Sequence, residues 1–179
     1  MSYLFRNRYS RPAILMLAIL LSPAATAWAN TPAPPTSPVT VTYIHPDTFT
    51  EMRSTPPSER QDSKENLSML KRYIRQRAES VLAPGQQLSI RITDVALAGQ
   101  YEPWPNSPTG WIRVVRNTYP PRIVLAFTLR NAHGKIIKEG RRTLTNLAFM
   151  DNGGLQSNSP IHYSKDLVNR WLRRGVNGL

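Results

Sequence analysis

The chain has no cysteine among its 179 residues. Disulfides, thiolate nucleophiles and cysteine-ligated zinc are excluded together, as is a lipid anchor attached to an N-terminal cysteine. Stability must come from packing alone. Acidic residues are scarce, 11 Asp and Glu against 23 Lys and Arg, for a net charge of +12. Long apolar runs are missing too. The run from Ala13 to Leu21 is too short to span a bilayer, and no later segment is apolar enough to try. Neither a Gly-x-Ser-x-Gly elbow nor a phosphate-cradling or dinucleotide-binding glycine loop is present. His45, His133 and His162 lie far apart without helical ligand spacing, which gives no reason to expect a metal or cofactor.

What is present begins with an export signal. Arg6, Arg8 and Arg11 precede the apolar run, and small residues follow it up to two overlapping Ala-x-Ala patterns ending at Ala27 and Ala29. That order describes a signal peptide over residues 1–29, cut after Ala29 or, as second choice, after Ala27. An uncleaved anchor is the alternative, disfavoured by the short run. The expected address is the periplasm or the medium. Residues 30–38 hold four prolines and read as an extended leader to a single domain over residues 39–179. Loss of residues 1–29 removes three arginines and no acid, so the net charge falls from +12 to +9. A basic exported domain suits an anionic envelope component or an envelope protein as partner, and nucleic acid is not expected there. Solubility alone is the competing explanation for scattered charge.

The periodicities predict an α+β fold in two layers: a largely antiparallel sheet of about five strands with two helices on one face. Val39 to Ile44 alternates as a strand and ends at His45-Pro46. A loop is expected from Asp47 to Arg60. A helix is expected from Asp62, where Asp62 and Glu65 have capping-box spacing and Leu67, Leu70, Ile74, Ala78 and Val81 share a face. Lys64, Lys71, Arg72, Arg75 and Glu79 lie on the opposite face, as a solvated surface or an anion-binding one. Leu88, Ile90 and Ile92 restore a period of two. Gly99 to Pro105 reads as a loop, Trp111 to Arg116 as a strand, and Arg122 to Arg130 with Lys135 to Phe149 as a hairpin turning at Asn131 to Gly134. A last helix is expected from about Ser164 to Arg174. If the first strand pairs in parallel, the first helix is its crossover.

Chemistry is concentrated in the middle of the chain. Tyr101, Trp104, Trp111 and Tyr119 stand near Arg113, Arg116 and Arg122, a mixture that can stack on sugars or peptides and hold anions, or pin a loop to the sheet. Asp94 and Glu102 are close carboxylates of the kind a glycosidase pairs, although Asp94 also suits a turn cap.

Ile92-Thr93-Asp94-Val95-Ala96-Leu97-Ala98-Gly99, Glu102-Pro103-Trp104, Tyr119-Pro120-Pro121-Arg122-Ile123, and Tyr163-x-Lys165 with Trp171-Leu172 together resemble an uncharacterised family of proteobacterial exported proteins, a domain of unknown function. The resemblance covers most of the chain after the leader and implies a small exported single domain without assigned activity. Ala96 stands where that family has an acidic residue, and the last helix carries fewer carboxylates, so any acidic cluster around Asp94 is reduced here.

The sequence therefore points to a non-enzymatic binding or envelope-associated domain, with Asp94, Glu102, Trp104, Tyr119 and Arg122 as the candidate surface. A hydrolase of envelope glycans using Asp94 and Glu102 is one alternative. An assembly partner that adds a strand at a sheet edge is the other.

Overall fold

The computed structural model describes residues 37–152, 159–173 and Leu179. The expected signal peptide and almost all of the leader lie outside these residues. The order is β1 (Val39–Tyr43), α1 (Thr50–Ser54), α2 (Arg60–Glu79), β2 (Gln87–Ala96), β3 (Gln100–Pro103), β4 (Trp111–Val114), β5 (Arg122–Arg130), β6 (Ile136–Thr145) and α3 (His162–Leu172), with short 3-10 turns at Pro46–Thr48, Pro57–Glu59 and Phe149–Asn152.

Four strands form the main sheet in the order β1-β2-β5-β6. β1 runs parallel to β2, pairing Val39 with Leu88 and Tyr43 with Ile92, so α2 is its crossover. The other two pairings are antiparallel. Alternation decides which face is dry: Leu88, Ile90 and Ile92 of β2 and Ile123, Leu125, Phe127 and Leu129 of β5 are buried. Leu67, Leu70, Ile74 and Ala78 of α2 join the same core as Leu167, Val168, Trp171 and Leu172 of α3, which places both helices on that one face. Thr40, Thr42, Ser89 and Arg91 point to the other face and are exposed.

Four elements, β3, α1, α2 and α3, differ from the sequence expectation, as does the division of the strands into sheets. The strands do not form one sheet of five, because β3 and β4 pair only with each other as a separate two-stranded sheet. β3 arises where a loop was expected; Pro103 can end a strand that has only one neighbour. The presumed loop after β1 contains α1, a single helical turn too short to show a period, whose Met52 is 5% exposed and whose Glu51 is 2% exposed. α2 begins at Arg60, two residues ahead of Asp62, and no side chain caps it. Asp62 sits instead within the first turn, where its charge still favours the positive end of the helix dipole. α3 starts at His162, slightly before the expected Ser164.

Candidate functional site

Thr93 is an extra residue between the paired positions Ile92 and Asp94 of β2, a bulge that re-aims the next side chain. Asp94 is thereby presented to the start of α1. The Thr50 backbone N–H donates to Asp94 Oδ1 at 2.6 Å, and the Thr50 hydroxyl donates to Oδ2 at 2.9 Å. Arg122, at the start of β5, donates from Nη2 to Asp94 Oδ2 at 2.8 Å and to the Thr50 hydroxyl at 3.2 Å. Asp94 is therefore a cap, reached from a neighbouring strand, for a helix whose first N–H groups have no partner of their own.

Beside it lies a polar core that the sequence pattern did not reveal. The carboxylate of Glu51 accepts a hydrogen bond from the Ser63 hydroxyl at 3.0 Å and from the Leu97 backbone N–H at 3.1 Å. It also forms an ion pair with Arg113, which comes from β4 of the separate hairpin. The Arg113 guanidinium donates to the Ala98 carbonyl at 3.2 Å and lies over the Tyr101 ring, 4.6 Å from its centroid. This arrangement ties the two-stranded sheet to the main domain through side chains. Gly99 allows the tight passage from β2 to β3: its φ is +86°, and a Cβ there would stand 2.7 Å from the Val114 carbonyl oxygen.

Between α1, the end of β2 and the chain leading into β5 is a cleft of about 310 Å³ lined by Thr50, Glu51, Ser54, Gly99, Gln100 and Tyr119, among others. Tyr119 is the one candidate residue that lines it. Asp94 and Arg122 reach its rim through Thr50. Glu102 lies on β3 and pairs with Arg116 at 3.0 Å, an exposed contact separate from the Asp94 cluster. Trp104 follows β3 at the hairpin turn, where its N–H donates to the Gly110 carbonyl at 2.8 Å and its side chain is 51% exposed. The structure thus brings Asp94 and Arg122 into direct contact and sets Glu102 and Trp104 out on the hairpin. Asp94 and Glu102 each bind their own arginine, and neither is among the residues lining the cleft.

The other sequence features find ordinary places. His133 is exposed in the β5–β6 turn, its N–H held by the Asn131 side chain. Ser68 and Lys71 on α2, not among the motifs singled out above, have the Ser-x-x-Lys spacing of some acyl-transfer enzymes, but the Lys71 ammonium lies over the Tyr43 ring, 5.5 Å from its centroid. Among the described residues no group of three His, Asp or Glu is placed to hold a metal ion, and no helix is long and apolar enough to cross a membrane.

Comparison with known proteins gives a family match. A family described as "Protein of unknown function (DUF3016)" matches residues 37–174, which takes in every strand and helix among the described residues. Neither the curated proteins nor the solved structures contain a significant match to the chain.

Proposed function

We propose that this chain, which belongs to the DUF3016 family of proteins of unknown function, is exported to the periplasm and binds an envelope component there without catalysing a reaction on it. The single observation that carries the reading is the exposed Trp104 at the tip of a hairpin whose base is fixed by buried contacts. A half-exposed indole presents a flat apolar face with a polar N–H at its edge, on which a sugar or a peptide can stack. Arg116 on the same hairpin and Arg122 at the sheet end add guanidinium groups that suit anionic or sugar-bearing partners. The carboxylates serve the architecture: Asp94 caps α1 and Glu102 holds Arg116. A pair of carboxylates working on a glycosidic bond needs a common gap for the substrate. Export is supported by the charge and apolar pattern of residues 1–29.

The test is cosedimentation of the protein with purified envelope fractions. Replacing Trp104 and Arg122 by alanine is expected to reduce the bound fraction at least tenfold while the circular dichroism spectrum is unchanged. Undiminished binding by that double variant would overturn the surface. Mass spectrometry of the protein recovered from the periplasm is expected to give a chain starting at Asn30, and an intact Met1 in that fraction would overturn the processing.

A further inference from the structure

We infer that the outer edge of β1 is a docking site for an extended, acidic segment of a partner protein, which joins the sheet as an added strand. The inference takes up the strand-addition alternative and assigns it an edge and a partner chemistry. It rests on residues remote in sequence from the Trp104 hairpin.

The parallel ladder determines which backbone groups are free. The Leu88 N–H donates to the Pro38 carbonyl and the Ile44 N–H to the Ile92 carbonyl. The groups of Thr40 and Thr42 therefore point at β2, and those of Val39, Val41 and Tyr43 point away from it. The Val39 N–H is already served by the Ser37 oxygen at 3.2 Å, while the one Ser37 proton lies within reach of both the Val39 carbonyl and the Glu79 carboxylate. Val41 and Tyr43 have no backbone partner on that side among the described residues. Their stretch, Val-Thr-Val-Thr-Tyr, contains no charge, proline or bulge. The opposite edge is different: β6 carries Lys138, Glu139, Arg141 and Arg142, the kind of charged edge that discourages strand addition.

A groove of about 350 Å³ runs along this edge between β1 and α2, lined by Ser37, Val39, Thr40, Val41, Lys71, Arg72 and Arg75. Three cations and no acid line it. Arg72 and Arg75 have no ion-pair partner among the described residues; the Glu79 carboxylate lies outside the lining, at the Ser37 end of the groove. An incoming strand would use backbone hydrogen bonds to Val41 and Tyr43 for register. Because side chains alternate, every second one would turn toward α2 and meet these cations. Carboxylates at alternate positions are the complement, and they identify the occupant as an acidic extended segment.

The probe is a fluorescein-labelled peptide of alternating glutamate and valine, titrated with the full chain and followed by fluorescence anisotropy. Two further peptides carry N-methyl groups on all glutamate amides or on all valine amides. Strand pairing predicts that one of these loses affinity at least tenfold and the other does not, since only alternate amides face β1. Lys71→Gln, Arg72→Gln and Arg75→Gln together are expected to lose at least tenfold. Val41→Pro removes an outward N–H without touching the β1–β2 ladder, though it also replaces a buried valine, so its circular dichroism is compared with the parent's; with the fold retained, binding is expected to be abolished. The proposal is overturned if both methylated peptides bind like the parent, if the parent does not bind, or if the triple variant binds normally. It is equally overturned if binding appears only after deletion of residues 30–36, which would make the protein's own leader the occupant. A variant with Trp104 and Arg122 replaced by alanine keeps peptide binding, so failure of the hairpin surface and failure of this edge are read separately.

Discussion

Arg113, on the β3–β4 hairpin, forms its ion pair with Glu51, a carboxylate that is 2% exposed in a one-turn helix 62 residues earlier in the chain. Three groups surround that carboxylate: the arginine, the Ser63 hydroxyl and the Leu97 N–H. The hairpin has no backbone ladder to the main sheet, so its position depends on this contact and on the passage at Gly99.

Glu51→Ala leaves a largely buried guanidinium without its partner. Loss of one member of a buried pair costs about 3 kcal/mol or more, and urea unfolding should show it as a lowered midpoint. Pairing Glu51→Leu with Arg113→Met removes both charges and should cost less than Glu51→Ala. A double variant less stable than that single one would mean that the pair itself stabilises the fold.

Asp94→Ala removes the cap of α1 and the partner of Arg122. The ion pair is half in water and adds little, so the cap dominates. The expected loss is about 1 kcal/mol, and Asp94→Ser, which keeps an acceptor oxygen, should recover part of it. The same urea titration distinguishes them.

Two glycines separate space from backbone conformation. Both Gly99 and Gly134 have positive φ, but a Cβ at Gly134 meets nothing within 4 Å while one at Gly99 meets the Val114 carbonyl. Gly134→Ala should cost about 1 kcal/mol. Gly99→Ala should cost clearly more in thermal unfolding, and should loosen the hairpin as seen by faster proteolysis between β3 and β4.

The phenol of Tyr43 donates to the Leu67 carbonyl at 2.7 Å, and burial pushes its pKa well above the ordinary tyrosine value. The folded state therefore holds this proton more tightly than the unfolded chain does. Tyr43 contributes fully below about pH 10, the unfolded value, and its contribution is lost progressively as the pH rises above that. Tyr43→Phe should flatten the alkaline limb of the stability profile. An unchanged slope between wild type and variant would refute the assignment.

Much of the architecture was legible because one sheet face is dry. Strands β2 and β5 announce themselves through alternating Leu, Ile and Phe, and α2 through its spaced Leu67, Leu70 and Ile74. α1 and β3 were not legible, since neither is long enough to express a period. One is held by a cap from Asp94 and the burial of Met52, the other by pairing with Trp111 to Val114. The site divides similarly. Asp94 and Arg122 could be singled out locally and do meet. Glu51 could not, because a glutamate between threonine and methionine gives no sign of burial until residues from β2, β4 and α2 are assembled around it.

The place of β1 at the rim of the sheet also has a kinetic meaning. Its ladder joins Val39 to Leu88 across an entire helix, whereas β5 and β6 are joined by the short turn from Asn131 to Lys135. Closing the longer loop costs more entropy, and a rim strand has one neighbour to hold it. The amides of Thr40 and Thr42 should accordingly exchange with deuterium sooner than that of Phe127, in a central strand. The strand that detaches first is the one whose outer edge would receive an added strand, so a partner bound there should slow the exchange of the Thr40 and Thr42 amides.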